Sequence, residues 1–408
     1  MDAEPAAAAA AVVAGPAQLE RTVIKAGDHV IIRMPSSNTK IVCIRADSTV
    51  SLGKFGSFNA NALIGRTFGH TFTIVQNGQI EPHHQAGFDA ADITSANNQT
   101  IVDDPKSQKL SFEEIEGLKK QSLLGAVSSE EIISSLTENN EAFAQKTEFS
   151  KSKYIRRKQS KFNKSFVPLE TTAYNLCEFF FEVNAQKTRG VRTDTLAQML
   201  ALANVYAGAR VLCVDDGQGL VVGALLSRIA GGCVLGVHDG DVANYDVLRY
   251  INEPTEGRLR TLAWNKLNHQ QPAFAEPELA ADASENDVLG RARRLRGHQK
   301  LADTLAEVRQ GNFDALVVST KYAARKVVIR LLPYLGLSRM VVVYDQCREP
   351  LTEVYAWMRD SHAFVNVQLT EGWLREYQVL PSRTHPTMST SGGGGFLLSA
   401  IYVGGGGV

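Results

Sequence analysis

From Arg21 to about Asp104 the apolar positions fall in short β-branched runs: His29-Val30-Ile31-Ile32-Arg33, Lys40-Ile41-Val42-Cys43-Ile44 and Thr71-Phe72-Thr73-Ile74-Val75. Gly, Asn, Ser and Asp separate the runs, which predicts short strands joined by turns. Residues 21–104 therefore read as a small antiparallel β domain, a packing or docking module. His83-His84 has no ligand spacing around it and is expected on a surface loop, not at a metal. Over 105–166 the period lengthens. Ser111-Phe112-Glu113-Glu114 and Ser128-Ser129-Glu130-Glu131 have the form of capping boxes, in which Ser and Glu satisfy free amides at a helix start. Two helices are expected in a helical basic connector, the second running on through Tyr154 into a lysine-rich stretch.

Over 167–408 apolar strands alternate with helical segments. Strands are expected at Val211–Val214, Cys233–Val237, Ala315–Val318 and Met340–Tyr344. Helices are expected from near Asp194, over Leu220–Ala230, and near Ala243–Tyr250, Leu301–Arg309 and Ala323–Leu335. This alternation predicts an α/β domain of Rossmann-like type, a mostly parallel sheet with helices on both faces. Val365–Leu369 and Phe396–Val403 have no clear helix between them and should close the sheet as an antiparallel pair. Gln271–Gly290 holds five acids, two prolines and no base, and reads as a loop or linker. The glycine runs Gly392–Gly395 and Gly404–Gly407 are expected at turns or flexible backbone.

Composition bounds the rest. The 408 residues suggest two or three domains, and 44% hydrophobic residues exclude wholesale disorder. The longest apolar stretches fall short of the roughly 20 residues that span a bilayer, so no membrane association is expected. Cysteines 43, 177, 213, 233 and 347 are far apart and form no CxxC, which fits a reducing compartment without disulfides or zinc. The Ala-rich segment 1–20 carries Asp2 and Glu4 where a secretory signal needs positive charge, and reads as a disordered tail. The chain is expected in the cytosol or nucleus.

The strand at Val211 runs into Asp215-Asp216-Gly217-Gln218-Gly219-Leu220 and a helix. Such a turn lets a ligand approach backbone and helix N-terminus. A working S-adenosylmethionine (SAM) site has an acid ending the strand, then G-x-G-x-G. Here the acid position falls on Cys213 and the first glycine position on Asp215. The acid that binds ribose at the end of the next strand is shifted, with His238 and Asp239 in its place. The strand Ala315–Val318, which should end in the polar residue that faces a target base, runs out into Ser319-Thr320-Lys321. The turn Asp215, Asp216, Gly217, Gly219 thus reads as degenerate: no cofactor, metal or catalytic residue is expected here, and the sheet is kept for structure and assembly.

The forty-three basic and forty-three acidic residues cancel, but not evenly. Residues 101–148 carry ten acids and five bases, whereas Phe149–Phe166 carries Lys151, Lys153, Arg156, Arg157, Lys158, Lys161 and Lys164 with no acid. On a helix Lys153, Arg157, Lys161 and Lys164 would share a face. With Tyr154, Phe162 and Phe166 interleaved, the run suits nucleic acid, where phosphate neutralisation supplies most non-specific affinity. A solvated helix face or a nuclear localisation signal is the plainer alternative. Arg291, Arg293, Arg294, Arg296 and Lys300 follow the acidic linker and balance it. Arg189 and Arg192 flank a turn and could extend the first basic surface.

Several blocks, in order, resemble one family. They are Asp103-Asp104-Pro105-Lys106-Ser107-Gln108-Lys109-Leu110, Lys146-Thr147-Glu148-Phe149 with Lys153-Tyr154-Ile155-Arg156-Arg157-Lys158, and Arg192-Thr193-Asp194-Thr195-Leu196-Ala197-Gln198-Met199-Leu200. Near the end stand the block from Trp373 to Pro386 and Ser391-Gly392-Gly393-Gly394-Gly395-Phe396-Leu397-Leu398. Together they resemble the non-catalytic subunit of the eukaryotic tRNA (adenine-N1)-methyltransferase, over nearly everything after Gly27. The resemblance implies a class I methyltransferase-like fold, a SAM-binding catalytic partner that forms 1-methyladenosine in the tRNA T-loop, two copies of each subunit, and a nuclear location. It also implies RNA contacts at Lys106, Ser107, Gln108, Lys109, Lys151, Lys153, Tyr154, Arg156, Arg157, Lys158, Lys161, Lys164, Arg375, Tyr377, Gln378, Arg383, Ser391, Gly392 and Gly393, to which the basic turn adds Arg192. An active SAM-dependent RNA methyltransferase with an atypical site, or a translation-initiation interaction module, is the alternative.

Overall fold

The computed structural model describes residues 23–83, 108–123, 127, 129–141, 143, 146, 148–267, 284–380, 383–388 and 392–405. The expected tail over 1–20 lies outside them. The chain divides into two compact units, Met1–Thr171 and Thr172–Val408.

The first unit holds strands β1 (His29–Arg33), β2 (Thr39–Cys43), β3 (Thr49–Ser51), β4 (Ser57–Asn59), β5 (Phe72–Ile74), β6 (Ile80–Pro82) and β7 (Ser165–Glu170). Five of them form one antiparallel sheet in the order β2-β1-β7-β5-β6, and β3 and β4 form a ribbon. Val30, Ile32, Phe55, Phe58, Leu63 and Phe166 are buried in its core. Phe166 stacks on Phe58 with ring centroids 4.7 Å apart. The boundary expected after residue 166 falls inside β7. That strand pairs with β1 (Val30 opposite Glu170) and with β5 (Phe72 opposite Phe166), so its ladder holds it in the first unit.

Three helices complete this unit: α1 (Phe112–Leu123), α2 (Ser129–Glu138) and α3 (Glu148–Phe162). Ser111 caps α1 as expected: its Oγ accepts the Glu114 amide at 3.2 Å, and the Glu114 carboxylate accepts the Ser111 amide at 2.8 Å. Ser128 lies outside the described residues. The second helix does not run on into the lysines. It stops at Glu138, where the Asn139 side chain donates to the Ser135 carbonyl and Asn140 pairs with Gln108 in a β-bridge. Asparagine competes for backbone partners in this way and ends helices. The lysine run occupies the separate helix α3, anchored by Phe162 against Ile132 and Leu136.

The second unit is built on a seven-stranded sheet. Its strands are β8 (Arg210–Asp215), β9 (Cys233–His238), β10 (Leu259–Ala263), β11 (Phe313–Ser319), β12 (Leu335–Asp345), β13 (Phe364–Trp373) and β16 (Gly393–Tyr402), while β14 (Tyr377–Leu380) and β15 (Arg383–Pro386) form a separate hairpin. The sheet order is β10-β9-β8-β11-β12-β16-β13. The first five strands are parallel, and β16 runs antiparallel between β12 and β13, the expected closing pair. Helices α4 (Ala173–Asn184), α5 (Thr193–Leu202) and α6 (Leu220–Arg228) pack on one face, and α7 (Glu285–Gln310), α8 (Ala324–Leu331) and α9 (Arg348–Asp360) on the other. Because both faces are covered, β8, β9 and β11 read as continuous apolar runs.

Three expectations in this unit need correction. Residues Asp246–Tyr250 form a short 3₁₀ turn where a helix over Ala243–Tyr250 was expected, because the Val247 amide donates to the Gln218 carbonyl at 3.0 Å and ties the segment to the glycine turn. The expected linker over Gln271–Gly290 is helical from Glu285. Ser284 and Asp287 form a reciprocal capping box there, and the acids sit at the helix start where they are favoured; 271–283 lie outside the described residues. The run Gly392–Gly395 is not a flexible turn, since Gly393–Gly395 belong to β16. A Cβ at Gly394 would stand 2.7 Å from Arg192 Nη2 and 2.8 Å from Thr195 Oγ1, so glycine lets the strand approach the start of α5.

Candidate functional site

In an open parallel sheet, ligands bind outside the carboxyl ends of the strands, where the strand order reverses. Here that place lies between β8 and β11, with Asp215 opposite Ser319. The strand runs two residues past Cys213 and ends in Asp215, so an acid does close it, contrary to the alignment that put Cys213 in that position. The Cys213 thiol is fully buried, which pushes its pKa well up and leaves it inert.

Asp215 turns inward. Its Oδ1 accepts the Gly217 amide at 2.8 Å, an Asx-turn, and its Oδ2 accepts the Val221 and Val222 amides at 2.8 and 3.1 Å. Helix α6 begins after Gly219 with no cap from its own N-terminal side chain, so the strand-end carboxylate serves as its cap. Burial pushes the Asp215 carboxyl up to about 6, against the pull of the three amides. The neighbouring carboxylates are also taken. Asp216 accepts Thr320 Oγ1 at 2.8 Å and the Lys321 amide at 2.9 Å, and Asp239 accepts the Tyr322 hydroxyl at 2.6 Å. That last bond holds the Asp239 carboxyl below its ordinary value. Ser319 is buried, and its Oγ has no hydrogen bond among the described residues.

Tyr245 closes the turn from above. A Cβ at Gly219, where φ is +83°, would stand 2.7 Å from Tyr245 Cβ, and one at Gly236 would stand 2.3 Å from its hydroxyl. That hydroxyl is buried with no partner among the described residues, and burial pushes its pKa well up. The residues do not fit SAM. The free amides that would face an anionic ligand at the helix start are bonded to the chain's own carboxylate, and the space over both glycines holds a tyrosine. Beside the turn a shallow recess of about 320 Å³ is lined by Asp239, Trp264, Tyr322, Lys326, Val327 and Arg330. Among the described residues there is no group of His, Cys, Asp and Glu that could hold a metal, and no helix is long and apolar enough to cross a membrane. His83 bonds Thr73 Oγ1 at 2.9 Å, and His84 lies outside the described residues.

In the first unit the structure gathers much of the predicted basic surface on α3. Lys153, Arg157 and Lys161 are exposed at one-turn spacing along one face, and Arg156 is exposed beside them. Lys151 and Lys158 are half-buried. Tyr154 is a brace: its ring packs on Phe143 at 5.5 Å, its hydroxyl accepts Asn140 Nδ2 at 3.3 Å, and Lys158 lies 5.0 Å over it. Lys164 is not on the helix face, since α3 ends at Phe162. Its ammonium donates to the Ser122 carbonyl, and burial lowers its pKa. Phe162 and Phe166 are core residues, not stacking platforms. Gln108 has its amide buried without a partner among the described residues, and Lys109 pairs with Glu141 at 3.0 Å in the open. Lys106 and Ser107 lie outside the described residues.

In the second unit Arg192 is buried and committed. It binds Asp194 through two bonds of 2.6 and 2.8 Å and donates to the Gly392 carbonyl at 2.9 Å, which makes it a tie between α5 and β16 and not an exposed contact. Arg189 likewise pairs with Asp345 at 3.0 Å. Tyr377 and Gln378 are exposed on β14, Arg375 reaches Met388 Sδ at 3.8 Å, and Arg383 opens β15. Gly392 lies under the Trp373 indole, and Gly393 pairs with Trp373 across the sheet. Ser391 lies outside the described residues. The self-capping Asp215 and the covering Tyr245 were not foreseen. The Asp-x-Gly spacing of Asp215 and Gly217 carried a signal for the first, as the form of an Asx-turn; nothing local marks the second.

A profile of the Gcd10p family matches residues 23–289. The tRNA (adenine(58)-N(1))-methyltransferase non-catalytic subunit TRM6 of Kluyveromyces lactis is 30% identical, over 92% of this chain and 86% of that one. Its Mus musculus counterpart is 29% identical over 92% and 88%, and that of Schizosaccharomyces pombe 29% over 94% and 92%. Among solved structures, the tRNA (m1A58) methyltransferase TrmI of Aquifex aeolicus aligns at 12% identity with a TM-score of 0.48, covering 94% of this chain and 100% of that one. With the profile spanning well over half its length, the chain belongs to the Gcd10p family.

Proposed function

We propose that this chain is the non-catalytic, tRNA-binding subunit of a heteromeric tRNA (adenine-N1)-methyltransferase that forms 1-methyladenosine in the T-loop. The observation that carries this reading is the helix start of α6, bonded to the chain's own Asp215 where a methyltransferase would receive its cofactor. The relatives' shared designation as non-catalytic subunits of that enzyme supports it. The catalytic partner binds SAM and carries the chemistry, in a nuclear assembly of two copies of each subunit. This chain binds tRNA through the exposed cations of α3 and the block around β14 and β15. Holding a reactant in the right geometry can lower a barrier by several kcal/mol, up to about 7–11 in the best cases, so a subunit that only positions RNA can set the rate.

Reconstitution tests the reading. The tagged chain should copurify with a SAM-binding partner, and methylation of a tRNA transcript should need both. Methylation by this chain alone, or full activity of the partner without it, would overturn the proposal.

A further inference from the structure

Helix α7 runs for 26 residues, Glu285–Gln310, but only its C-terminal part is held by the core. Leu305 and Val308 are buried, and Leu301 packs against the same cluster. Over the preceding sixteen residues, 285–300, no described side chain is buried, and Val288, Leu289 and Leu295 are exposed. At about 1.5 Å per residue, that is roughly 24 Å of helix without a packed face.

The charge of this stretch is one-sided. Arg291, Arg293, Arg294, Arg296 and Lys300 stand between Asp287 and Asp303 with no acid among them. At about 100° per residue, Arg293, Arg296 and Lys300 fall within roughly 60° of arc, about a third of a turn from the stripe of Leu301, Leu305 and Val308. All three are exposed. The side chains of Arg293 and Lys300 have no ion pair or hydrogen bond among the described residues, and Arg296 bonds only the Ala292 carbonyl of its own helix, at 3.2 Å.

Like charges three and four residues apart destabilise a helix, and a polar helix without a packed face has little to offset them. Yet this helix has a firm start. Ser284 Oγ accepts the Asp287 amide at 3.3 Å, and the Asp287 carboxylate accepts the Ser284 amide at 3.0 Å. A polyanion laid along the basic face would relieve the repulsion. Guanidinium groups dominate the cluster, and their fork matches phosphate oxygens. No Phe, Tyr or Trp stands between 285 and 300, so the stretch offers chiefly charge.

We infer that Arg293, Arg296 and Lys300 form a second phosphate-contact face, which grips the ribose–phosphate backbone of the tRNA without reading its sequence. The inference rests on the reading of this chain as a tRNA-binding subunit.

The test uses the assembled complex and a fluorescent tRNA transcript, with anisotropy titrations at several salt concentrations. Three variants are compared with wild type: R293E/R296E/K300E, R293Q/R296Q/K300Q, and K153E/R157E/K161E on α3. Glutamine keeps helix propensity, so the second variant separates lost contact from lost fold. The glutamate variant should bind more than tenfold more weakly at about 0.1 M salt, the glutamine variant less so, and both should lower the log–log salt slope by about two to three. Unchanged affinity and slope in both α7 variants, with weakening in the α3 variant, overturns the inference and leaves the tRNA reading standing. No change in any of the three overturns both. Loss of the partner subunit from the α7 variants with tRNA affinity intact assigns the face to a protein contact and also overturns it.

Discussion

The turn after β8 and the helix α3 each gather charge of one sign, and they treat it in opposite ways. Around the turn, Asp215, Asp216 and Asp239 each accept hydrogen bonds from the chain's own amides or hydroxyls. On α3 the exposed side chains of Lys153 and Arg157 have no ion pair or hydrogen bond among the described residues. Charge satisfied from within stabilises a fold, whereas charge left open is available to a partner. The fold therefore places its anions at the sheet end where open parallel sheets hold ligands, and its open cations elsewhere.

The contrast breaks most visibly at Asp215. Asp215→Ala leaves one turn amide and two helix-start amides without their acceptor, and should cost about 2–4 kcal/mol in denaturant unfolding at neutral pH. A loss within error would mean that the carboxylate does not hold the turn. The same group gives a pH signature. Its carboxyl is pushed up to about 6 from an ordinary 3.8, so between those values the folded chain keeps a proton that the unfolded chain has lost. Its contribution to stability should fall as pH rises through that window and stay level above it. Wild type and Asp215→Ala melted side by side from pH 4 to 7 should draw together as pH rises; divergence contradicts the assignment.

Next in size is the open half of the comparison. K153E/R157E/K161E should weaken tRNA binding by more than tenfold at about 0.1 M salt, with far-UV circular dichroism unchanged. If affinity and salt slope hold, α3 is a solvated helix face. Tyr245→Phe removes a buried hydroxyl without a partner among the described residues. It should leave stability unchanged or raise it by up to about 1 kcal/mol, and a clear loss would reveal a bond to that hydroxyl. Smallest of all is Asp216→Ala, which should alter methylation by the complex less than about twofold, because each 1.36 kcal/mol of lost transition-state binding would cost tenfold and none is assigned to it. A collapse of activity would make this turn catalytic.

Much of the fold was legible because its signals are local. β1, β8 and β11 carry unbroken apolar runs, Val30–Ile32, Val211–Val214 and Ala315–Val318, and Ser111 with Glu114 marks the start of α1 within four residues. What escaped depends on contacts distant in sequence. Whether α2 continues past Glu138 turns on a bridge between Asn140 and Gln108. Gly393–Gly395 read as flexible because the reason for glycine, the approach of Arg192 and Thr195, lies some two hundred residues away. The site divides in the same way. The departure from a cofactor-binding turn is plain in Asp215-Asp216-Gly217-Gln218-Gly219, but residue types alone do not reveal that Asp215 caps α6 or that Tyr245 covers Gly219 and Gly236. Arg192 reads as a surface cation because the Arg-x-Asp spacing does not show the pair turned inward against Gly392.

Calorimetric titration of SAM, first into this chain alone and then into the assembled complex, shows whether the self-capped turn can take a cofactor. No saturable binding to the isolated chain is expected, and one SAM for each pair of subunits in the complex. Saturable binding to the isolated chain, or two SAM per pair, would contradict that expectation.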